Sequence, residues 1–398
     1  MTRTQQQSTE PVRRPRNRKE LIVLAGAQLF AERGYHDVSL ADVAAAVGIT
    51  APALYRHFRN KQDLLLYAVR HGLETLDSWV GDAADLDELI ITMTAFLVSP
   101  SRRPGFTALW QRELRHLPDA ERRALRRQLS GIAARIATLV RAERPELPAA
   151  DADLLSWALL AVFASVSVHR LTLSRQDAEN LTQALGFGVV RCPLPVPAAT
   201  NASPRSQPAR AASVTLPRRE QLLTEAARLF AEQGFHSVNM NDIGAAVGIA
   251  GPSIYKHFPA KSDILVAAMR RGYERIQAGL TTALAQAATP QDALAELVRA
   301  DITFAIENTP LVGLLISERD QLPDQDRIAS RRAQRDILDV WLQTVLKARP
   351  GLDPARAKVT IQAVFALINH TVRTSHLAAR PDFADRLFDL AMAVFAAA

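Results

Sequence analysis

Cysteine is almost absent from this sequence, and long apolar runs are absent. A single cysteine, Cys192, stands among 398 residues, which excludes an internal disulfide and any cluster of thiolate metal ligands. The longest apolar runs, Trp157–Val168 and Leu390–Ala398, are shorter than the roughly 18 residues that a membrane-spanning helix needs. The N-terminal residues are polar and basic, unlike a secretory signal. We therefore expect a cytoplasmic protein with no membrane partner.

Signatures of catalysis and of strands are also lacking. The chain has no glycine-rich phosphate loop, no HExxH pair, no nucleophile elbow, and no cysteine or histidine cluster at metal-ligand spacing. Strand-like alternation of apolar and polar residues is nearly absent, whereas apolar residues recur at helical spacing between prolines. The sequence predicts an all-α protein that is not an enzyme and uses no cofactor or metal.

The net charge of +7 is concentrated in two arms. One arm is the N-terminal tail. The other runs from Arg191 to Arg219 and contains no acidic residue. Their basic residues are Arg13, Arg14, Arg16, Arg18 and Lys19 in the first arm, and Arg191, Arg205, Arg210, Arg218 and Arg219 in the second. Basic arms of this kind indicate an anionic partner such as nucleic acid.

One short segment occurs twice. The sequence GITAPALYRHF spans Gly48–Phe58, and GIAGPSIYKHF spans Gly248–Phe258. Residues 18–65 align without a gap with the residues 200 positions later, and nearly half of the pairs are identical. Weaker similarity continues at an offset of 205, where 116–127 corresponds to 321–332. The duplicated unit is a whole protein of about 190 residues.

Composition and the repeat together predict six segments. A linker rich in proline, alanine and serine separates the copies, and each copy divides into a head that contains the motif and a helical body. The segments are a disordered basic tail (1–17), head 1 (18–72), body 1 (73–190), an extended linker (191–217), head 2 (218–272) and body 2 (273–398).

Each head is predicted to contain a helix-turn-helix. After a first amphipathic helix over 18–32, Ser39 and Asp42 form a capping box that starts a second helix. A tight turn at Gly48 leads into a short third helix with Pro52 in its first turn, and the second copy repeats the arrangement. A purely structural helical hairpin has the same pattern.

The third helix carries the groups that favour DNA binding over a structural hairpin. A phenol, a cation and an imidazole lie within one turn, and a lysine opens the next helix. These are Tyr55, Arg56, His57 and Lys61 in head 1, and Tyr255, Lys256, His257 and Lys261 in head 2. Such groups donate hydrogen bonds to phosphates and base edges.

At these residues both heads resemble the DNA-binding domain of the TetR family of transcriptional regulators. The matching residues of head 1 are Phe30, Gly34, Ser39, Val43, Ala44, Gly48, Ile49, Leu54, Tyr55, His57, Phe58, Lys61 and Leu64 or Leu65. The resemblance implies two tandem units, each with a three-helix head and a helical body that binds ligand and dimerises. The DNA contacts that we expect are Ser39, Thr50, Ala51, Pro52, Tyr55, Arg56, His57 and Lys61, and Asn239, Gly251, Pro252, Ser253, Tyr255, Lys256, His257 and Lys261.

The two heads depart from each other on the third helix. Thr50, Ala51, Ala53 and Arg56 are replaced by Ala250, Gly251, Ser253 and Lys256. We expect the heads to prefer different half-sites or to bind with different strength.

A tandem of two such units can supply both heads of a dimer from one chain. The family resemblance implies dimers joined through their last two helices, so we expect residues 151–190 to pack on residues 354–397 and both heads to contact one imperfect palindrome. The linker reaches about 80 Å, farther than a globule of roughly 40 Å requires. Two chains that pair like copies, giving four heads, are the alternative.

The resemblance also implies a small hydrophobic effector, and the segments RELRHLP and SERDQLP suggest a fatty or acyl-thioester compound. The candidate lining residues are Phe96, Phe106, Trp110, Glu113, His116, Trp157, Phe304, Glu318, Arg319, Trp341, Asn369 and His370, each of which also suits a structural role in the core or at an interface. The sequence thus predicts a ligand-responsive repressor. A ligand-independent architectural DNA-binding protein is the competing interpretation.

Overall fold

The computed structural model describes residues 18–99, 106–168, 173–194, 217–249 and 251–398, which form helices and no strand, as predicted. Copy 1 contains α1 (Arg18–Arg33), α2 (Leu40–Ala46), α3 (Ala51–Tyr55), α4 (Lys61–Asp82), α5 (Leu86–Val98), α6 (Phe106–Ala108), α7 (Asp119–Glu143), α8 (Ala149–Val168) and α9 (Arg175–Val190). A π-helical turn (Leu109–Glu113) and a 3-10 turn (Leu114–His116) join α6 to α7. We call these two turns the connecting segment.

Copy 2 repeats this order with one further short helix, α18. It contains α10 (Arg218–Gln233), α11 (Met240–Ala246), α12 (Gly251–Ile254), α13 (Lys261–Gln286), α14 (Pro290–Glu307), α15 (Thr309–Ser317), α16 (Asp324–Ala348), α17 (Pro354–Val372), α18 (Ser375–Ala378) and α19 (Phe383–Ala397). A 3-10 turn (Arg319–Gln321) between α15 and α16 corresponds to the end of the connecting segment.

The second helix of each head begins where the sequence predicts. Ser39 Oγ accepts from Asp42 N at 3.1 Å, and Asp42 Oδ2 accepts from Ser39 N at 2.7 Å. Asn239 and Asp242 form the same reciprocal pair in copy 2. These bonds satisfy N–H groups that have no partner within the helix, and so they fix its first turn.

A small apolar core fixes the three helices of each head. In head 1, Phe30 of α1, Val43 of α2, Leu54 of α3 and Leu64 of α4 are buried together. Gly48, in the turn between α2 and α3, has a φ of +68°, which favours glycine. The sharp turn and the anchor at Leu54 together present Pro52 and Tyr55 of α3 to solvent.

The last two helices of the two copies pack into a four-helix bundle. Helix α8 packs against α17, and α9 packs against α19. The approach is close at Gly188 of α9, where an added Cβ would lie 2.7 Å from Ala397 Cβ. In the described residues, α8 and α9 therefore pack on α17 and α19, as expected for an intrachain pair.

One helix is long and apolar enough to cross a membrane by composition alone. The segment Ala149–Val166 of α8 has a mean hydropathy of 1.5, but 67% of it is buried inside the protein. It packs against α7, α9 and α17. These contacts identify α8 as the core helix of the bundle.

The packed part of copy 1 extends slightly beyond the predicted start of the linker at residue 191. Cys192 and Leu194 are buried, and Arg144 Nη1 donates to Val190 O at 3.0 Å and to Cys192 O at 2.8 Å. Burial, with Asp389 as a second cause, raises the pKa of the Cys192 thiol to about 12. The thiol is thus a protonated core group, and the remainder of the predicted linker, 195–216, lies outside the described residues.

Candidate nucleic-acid interface

The third helix of each head and the turn that follows it combine buried anchors with exposed polar groups, because the helix ends earlier than predicted, at Tyr55 in head 1 and at Ile254 in head 2. Leu54 and Phe58 are buried, whereas Tyr55 is 56% exposed and Arg56 and His57 are also exposed. Head 2 repeats the pattern, with Tyr255, Lys256 and His257 exposed beside buried Ile254 and Phe258. Both heads therefore present a phenol, a cation and an imidazole on one solvent-facing surface, which suits contacts to phosphates and base edges.

The start of the third helix is also accessible in head 1. Thr50 is the exposed N-cap residue of α3, and its side chain makes no capping hydrogen bond, so the hydroxyl is available. Ala51 is half-buried and Pro52 is exposed. In head 2, Ser253 is half-buried, Gly251 and Pro252 belong to the first turn of α12, and Ala250 lies outside the described residues.

The predicted contact residues Lys61 and Lys261 fasten the turn between the first two helices of their heads. Lys61 Nζ donates to Tyr35 O at 2.7 Å and lies 4.4 Å from the centre of the Tyr35 ring. Lys261 Nζ donates to Phe235 O at 2.7 Å and to Val238 O at 2.8 Å. Desolvation lowers the pKa of both ammonium groups. Their contact with DNA stays a prediction, as do the contacts of Ser39 and Asn239, which cap helices.

A difference between the heads that the sequence analysis missed lies just after the third helix. Head 1 has Arg59 and Asn60, where head 2 has Pro259 and Ala260. Asn60 Oδ1 accepts from Asp63 N at 2.8 Å and caps α4, and exposed Arg59 lines a surface cleft that Tyr55 also lines. Head 1 thus has one more cation and one more cap beside its third helix.

Two predicted ligand residues, Glu113 and Glu318, link the bodies to the heads. Glu113 Oε2 accepts from Tyr35 N at 3.2 Å, and Glu318 Oε2 accepts from Phe235 N at 3.3 Å. Both carboxylates are buried. The two backbone groups directly follow the first helix of each head, so each carboxylate ties its body to the turn after that helix.

The two heads meet at a cluster of histidines that the sequence analysis did not anticipate. The rings of His36 and His236 lie 4.4 Å apart, and the His116 ring lies 4.6 Å from His36 and stacks on Tyr35 at 4.7 Å. Desolvation is the main cause that lowers the pKa of His36 to about 4. His116, His236 and the Lys61 ammonium lower this pKa further, whereas the Glu113 carboxylate raises it. The neutral form of His36 is therefore favoured at this junction.

Charged side chains of the connecting segment of copy 1 pair with copy 2. Arg115 Nη1 donates to Glu318 Oε1 and, at 3.1 Å, to Ser317 Oγ. Arg112 Nη1 lies 3.4 Å from Asp320 Oδ2 and also donates through Nη2 to Ala31 O of its own head. The connecting segment thus contacts both heads and the opposite body.

The pairing residues have diverged between the copies. At the offset of 205, Arg112 corresponds to Ser317, and Arg115 corresponds to Asp320. The contacts Arg112 to Asp320 and Arg115 to Ser317 are therefore equivalent under the approximate two-fold relation. A pair of two first copies would bring Arg112 against Arg115, two cations, whereas unlike copies bring opposite charges together.

The bundle shows a second divergence of this kind. Helices α8 and α17 begin 205 residues apart, so Asp151 and Asp153 correspond to Arg356 and Lys358. Asp153 Oδ2 lies 2.9 Å from His376 Nε2, and the Asp151 carboxylate pairs with Arg380 and Arg386 of copy 2. Acidic groups of copy 1 thus meet basic groups of copy 2 in the bundle, whereas basic groups of copy 1 meet acidic groups of copy 2 at the connecting segment.

The other predicted ligand residues are spread over the two bodies and their junction. Half-buried Phe96 packs on Trp79 at 4.3 Å, Phe106 on Trp110 at 6.0 Å, and Trp157 on His376 at 5.9 Å. Trp341 is buried against Phe365 and Phe395. Arg319 Nη1 donates a hydrogen bond to Gln334 Oε1, and the His370 side chain contacts Gln111 of the other copy. Phe304 and Asn369 are half-buried. Their ligand contacts stay predictions.

In the part of the chain that the structure describes, no group of three or more His, Cys, Asp or Glu side chains has an arrangement that would hold a metal ion.

Comparison with known proteins assigns the heads to a family. The model of the bacterial regulatory proteins of the tetR family matches residues 22–68 and again residues 222–268. The HTH-type transcriptional activator FasR of Mycolicibacterium smegmatis is 25% identical over 150 residues, which are 38% of this chain and 68% of FasR. The HTH-type transcriptional repressor KstR2 of Rhodococcus jostii is 33% identical over 112 residues, 26% of this chain and 53% of KstR2. A solved TetR-family regulator from Bordetella parapertussis aligns with 44% of this chain and 93% of its own length at 21% identity and a TM-score of 0.41.

Proposed function

We propose that this chain, which belongs to the TetR family and carries two units of it in tandem, is a cytoplasmic, sequence-specific repressor whose two heads contact the two halves of one operator. Its relatives are DNA-binding transcriptional regulators with a helix-turn-helix. The proposal adds to that assignment the direction of regulation, the use of both heads of one chain, and control by a small effector.

The observation that carries the proposal is the pairing of unlike copies. The bundle of α8, α9, α17 and α19 joins the bodies, and opposite charges meet where the copies have diverged. Paired heads of two-fold regulators contact DNA about 34 Å apart, one helical turn. A single chain held in this way supplies two heads at a fixed separation, and the covalent linker maintains a high effective concentration of each for the other.

The test combines light scattering with selection of DNA from a random pool. We expect one chain on an imperfect palindrome, with a preference over random DNA of a thousandfold or more. The double substitution Tyr55→Ala/His57→Ala should weaken operator binding strongly, and Tyr255→Ala/His257→Ala is the matched variant in head 2. Two chains on each operator, or full binding by either variant, would contradict the use of both heads.

Control by a small hydrophobic effector is the second part of the proposal. It is supported by the half-buried aromatic residues of body 1 and by Asp301 in body 2, whose Oδ2 has no hydrogen-bond partner. Burial raises the pKa of Asp301 to about 7, which favours a protonated carboxyl that can donate to a ligand. Fatty and acyl-thioester compounds are the class to test first, by their effect on operator affinity.

A ligand-independent architectural protein would behave differently in the same assays. It would bind random DNA nearly as well as any selected sequence, and no effector would change its affinity. The buried links between bodies and heads favour the regulator, because an architectural protein has no need to couple a body to the position of its heads.

A further inference from the structure

The two heads touch each other through equivalent residues. His36 follows α1 in head 1, and His236 follows α10 in head 2, at the offset of 200 that relates the heads. The centres of their rings lie 4.4 Å apart, with the ring planes inclined at 53°. Equivalent residues that touch each other lie at the two-fold axis of a pair. The ring contact therefore marks the approximate two-fold axis between the heads.

Each body holds the contact histidine of its own head from the same position. The His116 ring lies 4.6 Å from the His36 ring, edge to face, and His116 Nε2 lies 3.4 Å from Glu113 Oε2. Gln321 stands in copy 2 where copy 1 has His116, and its Oε1 accepts a hydrogen bond from His236 Nε2 at 2.6 Å. The connecting segment and its counterpart in copy 2 thus support the ring contact from both sides.

The backbone of each turn that carries a contact histidine is fixed to its own head. Lys61 Nζ donates to Tyr35 O at 2.7 Å and to His36 O at 3.4 Å. Lys261 holds the corresponding turn of head 2 in the same manner, through two backbone carbonyl groups. Neither turn moves independently of its head unless these bonds break, so the distance between the two rings follows the distance between the two heads.

We propose that His36 and His236 are positioning residues, which set the separation of the two heads and with it the half-site spacing that the chain prefers. Their rings contact each other, so they act on DNA binding through the heads. The two-fold axis of a bound regulator passes through the centre of its operator, so a contact at that axis limits how closely the heads approach each other along the DNA. The inference rests on the proposed function, because it concerns two heads on one operator.

The size of the rings makes this limit comparable to one base pair. Neighbouring base pairs lie about 3.4 Å apart along the DNA axis, less than the 4.4 Å between the two ring centres. Replacement of both rings by the methyl groups of alanine therefore leaves room for the heads to approach each other by about one base pair. A substitution that keeps two aromatic rings at these positions keeps the limit.

Protonation of the two rings should change the same separation. Neutral imidazoles pack together, whereas two imidazolium ions at this distance repel each other. The polar and charged groups that face the rings are Lys61, His116 and Glu113 at His36, and Gln321 at His236. The contact lowers the pKa of His36 to about 4, chiefly by desolvation, so this ring binds a proton more readily when the heads are apart. A fall in pH therefore favours the wider separation.

The experiment measures the affinity of the full chain for the selected operator and for operators shortened or lengthened by one central base pair, at constant ionic strength. The native chain should bind both altered operators about tenfold more weakly, because a wrong spacing disengages one head. The His36→Ala/His236→Ala variant should bind the shortened and the selected operators within about threefold of each other. The matched control, His36→Phe/His236→Phe, should discriminate as the native chain does at pH 7.5 but should not shift toward the lengthened operator at pH 5.5, as the native chain should.

A second measurement needs no DNA. Spin labels at Glu32→Cys and Glu232→Cys, on exposed positions of α1 and α10, report the distance between the heads, while buried Cys192 stays unlabelled. This distance should grow as the pH falls in the native chain and stay constant in the phenylalanine variant. Full discrimination by the alanine variant, or equal losses in both variants, would overturn the positioning role and leave the proposed function intact. If no operator is selected while the label distance responds to pH and to these substitutions, the proposed function fails and the role of the two histidines in head separation stands.

Discussion

Removal of Arg115 is the sharpest test of the contact between the copies. Arg115 and Glu318 are 13% and 0% exposed, so Arg115→Leu leaves a fully buried carboxylate without its cation. Loss of one partner from a buried pair costs roughly 3–5 kcal/mol. Two donors remain for Glu318, Ser317 Oγ at 3.0 Å and Phe235 N at 3.3 Å, so we expect a loss of about 3 kcal/mol, at the lower end of that range.

Urea unfolding, followed by tryptophan fluorescence and by circular dichroism, measures this loss as a shift of the midpoint at unchanged slope. The second substitution Glu318→Gln removes the unpaired buried charge. The free energy of unfolding of the double variant should therefore be about 2 kcal/mol higher than that of Arg115→Leu. Asp320→Asn is the matched control, because Asp320 is 53% exposed and its pair with Arg112 contributes at most about 1 kcal/mol.

The pattern of the three variants decides the interpretation. If Arg115→Leu costs no more than Asp320→Asn, the pair does not hold the copies together and the link from the connecting segment to head 2 is wrong. If the double variant is no more stable than Arg115→Leu, the loss comes from packing rather than from a stranded charge.

Three further predictions concern single residues of the heads. Gly234→Ala should destabilise the chain and weaken operator binding more than Gly34→Ala, the equivalent change in head 1. A Cβ added at Gly234 would lie 2.9 Å from the Arg115 side chain, whereas the nearest atom to a Cβ added at Gly34 is 4.0 Å away. Thermal unfolding of both variants measures the difference. The pKa of His36 in the folded state, about 4, lies below its ordinary value of 6.5. The contribution of neutral His36 to the free energy of unfolding is therefore fully present above pH 6.5 and is lost as the pH falls from 6.5 toward 4. In unfolding measurements at a series of pH values, His36→Gln should show a smaller loss of stability over this range. Asn60→Ala should destabilise head 1 by about 1 kcal/mol, and Ala260→Asn should stabilise head 2 by a similar amount, as measured by urea unfolding.

The fold of each head was predictable because its signals are local. Ser39 lies three residues before Asp42, and Gly48 stands where the turn needs a positive φ, so adjacent residues suffice to place the helices. The packing of the last helices was predictable only through the family resemblance. Their apolar faces alone do not say which helix they meet.

The junction of the heads was not predictable, because its contacts join residues about 200 positions apart whose approach depends on the whole bundle. His36 and Arg115 lie on polar turns, where a solvated side chain is the ordinary expectation. Glu113 and Glu318 were predicted to line a ligand cavity because of the family resemblance, and a resemblance does not distinguish a ligand contact from a hydrogen bond to a head. Lys61 shows the same ambiguity, since its ammonium serves the backbone of its own head.

Duplication within one chain changes what an interface can contain. In a pair of identical subunits, residue 112 of each subunit contacts residue 115 of the other. An ion pair there requires a cation at one position and an anion at the other in both subunits. In a tandem chain the charges separate by copy, with Arg112 and Arg115 on one side and Ser317 and Asp320 on the other. The copies are then no longer interchangeable, and neither are the heads, since Arg59 stands where head 2 has a proline.

A consequence for DNA follows from these unequal heads. A symmetric dimer binds an operator identically in both orientations, but this chain should bind an asymmetric operator in one orientation only. Exchange of the two half-sites should leave the affinity unchanged, because the chain can bind the exchanged operator in the opposite orientation. An operator that contains the same half-site twice, as a perfect palindrome, should bind more weakly, because one head then contacts a half-site that it does not prefer. Equal affinity for both palindromes and for the natural pair would mean that the divergence of the third helices has no part in recognition.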